Sequence, residues 1–169
     1  MFDLNLCPFA RSVVEEDSLK ITVYDFSDFK KIIDAFLLEL DLIQSANQSE
    51  ISTTLMALPN SSKDFDEFLG FIDLMEELIH TADLKGVIQL ATFHPKYQFK
   101  GEPADSVSHV TNRSPYPRVH FLREDMITRA TDNFPNPEDI SSINIRIIEQ
   151  LGGEKIDQCM CGITEDFFW

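Results

Sequence analysis

The sequence is short of basic residues. Only 14 Lys and Arg stand against 29 Asp and Glu, a formal net charge of −15. Nucleic-acid affinity comes mostly from Lys and Arg neutralising phosphates, so this balance opposes DNA and RNA binding. No apolar run reaches the length needed to cross a bilayer. The opening Met1-Phe2-Asp3-Leu4-Asn5-Leu6 has neither the basic region nor the long apolar stretch of a secretory signal. The three cysteines, Cys7, Cys159 and Cys161, are too few for a disulfide framework and fit reduced thiols in a cytoplasm. There is no Gly-rich phosphate loop and no Gly-x-Ser-x-Gly elbow, so P-loop phosphate transfer and α/β-hydrolase chemistry lack their markers. The expectation is a cytoplasmic protein with neither nucleic acid nor membrane as a partner.

What is present is the composition of a globular domain. A chain of 169 residues, 43% hydrophobic and 25% charged, can bury a sizeable core. With 14 phenylalanines, that core should rest heavily on aromatic packing. Pro8 suits the first position of a short helix over Phe9 to Glu16. Leu19 to Tyr24 alternates apolar and polar, the pattern of a half-buried strand. Ser27 is the expected cap of a helix whose Phe29, Ile32, Ile33, Phe36, Leu40 and Ile43 recur at helical spacing. A polar break at Asn47 to Glu50 precedes a strand from Ile51 to Leu58. Ser61 and Asp64 form a loose capping box before a helix carrying Phe65, Phe68, Leu69, Ile72 and Ile79. Gly86 leads into Val87 to Phe93, apolar almost throughout, which predicts a strand covered on both faces.

Strand, helix, strand, helix, strand predicts an α/β fold: a single domain over 1–151, with a small, mostly parallel sheet and helices packed on it. Residues 152–169 read as a C-terminal extension. A long irregular stretch runs from His94 to Pro117, and such loops inside compact domains are more often functional or mobile than idle. Val119 to Arg123 should add a strand, antiparallel and at an edge. Asp125 is the expected cap of a helix ending near Phe134, and Pro137 to Leu151 reads as the last helix.

Candidate chemistry gathers in two places. A thiol just before a helix start feels the positive end of the dipole, which favours thiolate, so Cys7 is a candidate nucleophile; its alternative role is a small buried apolar group. His94 should leave the C-terminal end of a strand, where ligands bind in open α/β sheets, and is a candidate proton exchanger. Asn112, Arg113, Ser114 and Tyr116 lie in a block stiffened by Pro115 and Pro117. There the planar fork of Arg113 could grip a carboxylate or phosphate, or pair with a local carboxylate. His120 is a third candidate for proton exchange, or a half-buried, hydrogen-bonded strand residue; Arg123 is a second anion-binding candidate. Cys159 and Cys161 with Cys7 and a histidine would supply four zinc ligands, but Cys-x-Cys is tight for such a site and no metal is expected. Nothing points to a particular cofactor.

The blocks Leu4-Asn5-Leu6-Cys7-Pro8-Phe9-Ala10, Phe93-His94-Pro95 with Tyr97-Gln98-Phe99, Thr111-Asn112-Arg113-Ser114-Pro115-Tyr116-Pro117 and His120 with Leu122-Arg123-Glu124 resemble the bacterial family called domain of unknown function 1415. The likeness runs from about Leu4 to about Leu151. It implies a bacterial-type cytoplasmic protein and groups the same loops, but it brings no activity. Two functions are therefore expected as rivals. One is an enzyme, or a binder of a small anionic molecule, with its pocket at the strand ends between the Cys7 loop and the His94 to Arg123 segment. The other is an interaction module using the acidic surface and the aromatic end Phe167-Phe168-Trp169. If Cys7 is a nucleophile, its alkylation should titrate well below the free thiol value of about 8.5; a titration at that value would leave it a packing role.

Overall fold

The helices form where apolar residues recur every three or four positions and an acid stands ready to cap them. A computed structural model of the protein describes residues 10–132 and 139–152. A short helix, α1 (Ala10–Glu15), leads into strand β1 (Leu19–Val23). Helix α2 (Phe29–Ser45) is capped by Asp28, one residue beyond the expected Ser27, whose carboxylate accepts the Lys31 backbone N–H at 3.0 Å. Strand β2 (Thr53–Ala57) follows, then helix α3 (Phe65–Thr81). Asp64 caps α3 by accepting the Glu67 N–H, while Ser61, expected to open a capping box, donates its hydroxyl to the Leu58 carbonyl instead. Asp83 and then Gly86, both with positive φ, turn the chain into strand β3 (Ile88–Phe93).

From there the chain departs from the expected topology. No helix carries it back to the far end of the sheet; the long loop holds only a 3-10 helix (Val107–Asn112) before strand β4 (Arg118–Arg123). Leaving and re-entering at the same end, β4 has to run antiparallel to β3. The four strands lie in the order β1-β2-β4-β3, with β1 and β2 parallel and β4 antiparallel to both its neighbours. The sheet is therefore mixed rather than mostly parallel. The antiparallel strand sits inside it, not at an edge, and β3 takes the edge, with Gln89 exposed and Leu90 to Phe93 half-buried. The double coverage expected of β3 is absent: of its residues only Ile88 is buried. Helix α4 (Glu124–Asp132) starts directly after β4, so Asp125 lies within it, and α5 (Ile140–Leu151) follows; Phe134 and Pro137 lie outside the described residues.

The core is one-sided. Ile32, Phe36 and Ile43 of α2 and Phe68, Ile72, Met75 and Ile79 of α3 pack on Met56, Val119, Phe121 and Ile88 of the sheet. Phe36 stacks on Phe121 at 5.3 Å between ring centroids. Strand alternation sends the next residues to the opposite face: Ile21 and Val23 of β1, Leu55 of β2, His120 and Leu122 of β4. That face is more open, with Ile21 42% and Val23 51% exposed.

One charge is buried beneath α2. Glu39 is 1% exposed, and its Oε1 accepts the Tyr24 hydroxyl at 2.8 Å and Lys20 Nζ at 3.4 Å. Burial first, then this bond and the carboxylate charge, push the Tyr24 phenol up to about 12. Removing the donor leaves a buried carboxylate less well served. Tyr24→Phe should therefore cost about 1–3 kcal/mol of stability in urea unfolding; an unchanged midpoint would show that the phenol contributes nothing to holding Glu39.

Candidate functional site

Strands β1, β2 and β3 all point their C-terminal ends to one side of the sheet, and β4 begins there. Three connections meet at this end: the residues after Val23, the Leu58 to Asp64 turn, and the loop from His94 to Pro117. Asn60 hydrogen-bonds to Asp25, and the Leu58 N–H donates to the Pro117 carbonyl at 2.9 Å, joining the connections to one another.

Two histidines of the loop satisfy backbone groups of the loop and of the turn beside it. His94 is fully buried between Phe65 and Phe68, with ring centroids at 5.3 and 5.1 Å. Its Nδ1 accepts the Lys96 backbone N–H at 3.1 Å, and its Nε2–H donates to the Ser62 carbonyl at 3.2 Å. Pro95 has no N–H, so the donor two residues on closes this small ring. His109, also fully buried, has the same arrangement: Nδ1 accepts the Phe99 N–H at 3.1 Å and Nε2–H donates to the Pro103 carbonyl at 2.8 Å. An imidazole that accepts at one nitrogen and donates at the other is neutral, and both are spoken for. Proton exchange by His94 would require it to leave both backbone partners. Burial holds the His94 imidazole below its ordinary value, and the Lys96 charge lowers it further, against the pull of the Ser62 carbonyl and Asp64.

The polar block after the 3-10 helix divides in two. Asn112 ties the loop to β3: its side-chain amide donates to the Thr92 carbonyl at 3.0 Å, and its backbone carbonyl accepts the His94 N–H. Ser114, buried, donates its hydroxyl to the Tyr116 carbonyl. Tyr116 is half-buried and engaged in its own right. Arg113 differs. The residue is half-buried, its Nε donates to the Tyr97 carbonyl at 3.4 Å, and it forms no ion pair with a carboxylate among the described residues.

The remaining candidates lie elsewhere. His120 stands mid-sheet on the more open face, opposite Leu55 on one side and Ala91 on the other. Thr53 gives its hydroxyl proton to the Phe121 carbonyl and therefore accepts from His120 Nε2–H, at 2.6 Å. Burial lowers the imidazole to about 4. Arg123 is at the opposite end of β4, where its Nη2 donates at 3.0 Å to the carbonyl of Ala46, the C-cap of α2, and at 3.2 Å to that of Ile51, before β2. Arg113 and Arg123 thus do not share a site. Cys7 lies outside the described residues, as do Cys159, Cys161 and the aromatic end. Among the described residues there is no His, Cys, Asp and Glu cluster that could hold a metal ion, and no helix is long and apolar enough to cross a membrane.

Two features escaped sequence reasoning. Thr53, which sets the His120 tautomer, is 67 positions away in the chain, and no local pattern signals it. The aromatic row that clasps the loop was half-visible: Phe65 and Phe68 face the core at helical spacing, and Tyr97 and Phe99 alternate after His94. Ring centroids follow one another from Phe65 to Tyr97 at 5.3 Å, to Phe99 at 5.0 Å and to His109 at 6.1 Å.

This architecture defines an α/β layered domain built on a four-stranded mixed sheet. The chain belongs to the family described as proteins of unknown function (DUF1415), whose model matches residues 1–158 of the 169. The match takes in Cys7 and the whole of the loop, and ends one residue before Cys159. No curated protein and no solved structure matches the chain.

The two depressed histidines tie stability to pH. A group whose folded value lies below its unfolded value of about 6.5 contributes stability that is present above 6.5 and lost as pH falls through the folded value. The urea midpoint should therefore drop from about pH 6.5 down to the His120 value of about 4. His94→Leu, which strips Lys96 N–H and Ser62 C=O of their partner, should cost about 2–4 kcal/mol at neutral pH and flatten this slope. An identical slope in both His94→Leu and His120→Leu would place the acid sensitivity elsewhere.

Proposed function

We propose that the C-terminal end of the parallel strands receives a small anionic molecule, a carboxylate or a phosphate, with Arg113 as its principal contact. The observation that carries this is Arg113, a half-buried residue whose guanidinium is held by one carbonyl, with no carboxylate paired to it among the described residues. A guanidinium placed so, with terminal nitrogens still to be used, suits the bidentate geometry of a carboxylate or phosphate. Across the three connections, Lys63, Lys96, Lys100, Arg113 and Arg118 balance Asp25, Asp28, Asp64, Glu102 and Asp105, within a chain of −15. An anion therefore meets less repulsion at this end than over the chain as a whole.

In this proposal His94 and His109 hold the loop in shape and exchange no proton, and Arg123 serves the fold. Binding, rather than a particular reaction, is what the arrangement supports. The rival interaction module depended on Phe167-Phe168-Trp169, which lie outside the described residues.

Thermal shift and calorimetry with inorganic phosphate and citrate test the proposal. Either anion should raise the Tm of the wild-type chain in a concentration-dependent way. Arg113→Gln should weaken the affinity by about tenfold or more, the worth of a charge-assisted hydrogen bond, whereas Arg146→Gln on α5 should leave it unchanged. No response from the wild-type chain, or equal affinity in Arg113→Gln, sinks the idea.

A further inference from the structure

Beside Arg113 the loop presents more than charge. The carbonyl that Arg113 Nε meets belongs to Tyr97, so the guanidinium lies against the backbone of an aromatic residue. The inner residues of the row, Phe68 and His94, are fully buried, whereas Tyr97 and Phe99 are half-buried. Both are held in place: Tyr97 by Phe65 at 5.3 Å and by Phe99, edge-on at 5.0 Å, and Phe99 in turn by His109 at 6.1 Å. The Tyr97 hydroxyl makes no hydrogen bond among the described residues. Lys96 and Lys100, both exposed, flank the two rings in the chain.

We infer that the site takes an aromatic anion, a planar ring bearing a carboxylate or phosphate, with the anionic group on Arg113 and the ring against Tyr97 and Phe99. This rests on the anion-binding role proposed for Arg113 and adds the chemical class of the ligand. An inorganic anion would satisfy the guanidinium and leave the aromatic surface wet. A ligand ring would cover it, and rings already fixed by their neighbours lose little freedom on binding. Stacked or edge-to-face contact with two such rings adds affinity beyond that of the charge alone.

The test compares three probes on the full chain by calorimetry: phenyl phosphate, inorganic phosphate and phenol. Phenyl phosphate should bind about tenfold tighter than inorganic phosphate, in line with the worth of aromatic pairs, and phenol should bind more weakly than either. Phe99→Leu, which keeps an apolar side chain of similar reach, should bring phenyl phosphate down to the level of inorganic phosphate without changing the latter. Equal binding of phenyl phosphate and inorganic phosphate by the wild-type chain would overturn the aromatic class while leaving the anion site standing. Phenol as tight as phenyl phosphate would overturn the part assigned to Arg113. No binding by either phosphate would remove the site altogether. The wild-type comparison decides the matter even if Phe99→Leu fails to fold.

Discussion

Everything distinctive in this fold follows from one connection: after β3 the chain has no helix with which to return. A parallel strand needs a crossover to the opposite end of the sheet, and α2 and α3 supply two of these. The third connection stays at the end where it began, so the strand it feeds enters backwards and fills the slot between β2 and β3. A loop in this situation cannot lean on regular structure for its hydrogen bonds. It takes them from two buried neutral imidazoles, from the Asn112 side chain, and from its own 3-10 turn. Histidine suits this work because it both donates and accepts, at a fixed distance and in a ring that packs like phenylalanine.

The same connection separates residues that look alike in sequence. Arg113 and Arg123 are ten positions apart, yet one precedes β4 and the other ends it, so the length of a six-residue strand lies between them. Arg123 then meets the carbonyl of Ala46 at the C-terminus of α2, where a cation is favoured by the helix dipole, and that of Ile51 just before β2. Arg113 meets a single carbonyl in a loop. The surroundings, not the residue type, give one a structural duty and leave the other terminal nitrogens to spend on a ligand.

Much of the layered architecture was legible because it rests on local periodicity. Ile32, Phe36 and Ile43, like Phe68, Ile72 and Ile79, announce their buried faces by spacing alone, and β1 shows its alternation. The caps were displaced by one to three residues because Ser27 and Asp28, or Ser61 and Asp64, are equally competent by type and only geometry chooses between them. The place of β4 was not legible at all. Strand order depends on pairing between distant segments, and the apolar run of β3 looks the same at an edge as in the middle. Arg113 and His94 stood out by position and type, but nothing local said that His94 had both nitrogens occupied while Arg113 had not. His109, whose role matches that of His94, carried no signal because its partners Phe99 and Pro103 approach only once the loop is folded.

The strand order also sets a sequence of events during synthesis. Strands β1 and β2 are neighbours joined by α2, so they can pair as soon as residue 57 is free of the ribosome. Strand β3 has no such option: its hydrogen-bonding partner is β4, which is made about thirty residues later. Until then β3 and the apolar face of α3 have a half-built sheet to pack on, with the middle position open. The domain therefore closes from the inside, its central strand arriving last, and the long loop is the span across which that final pairing must be found.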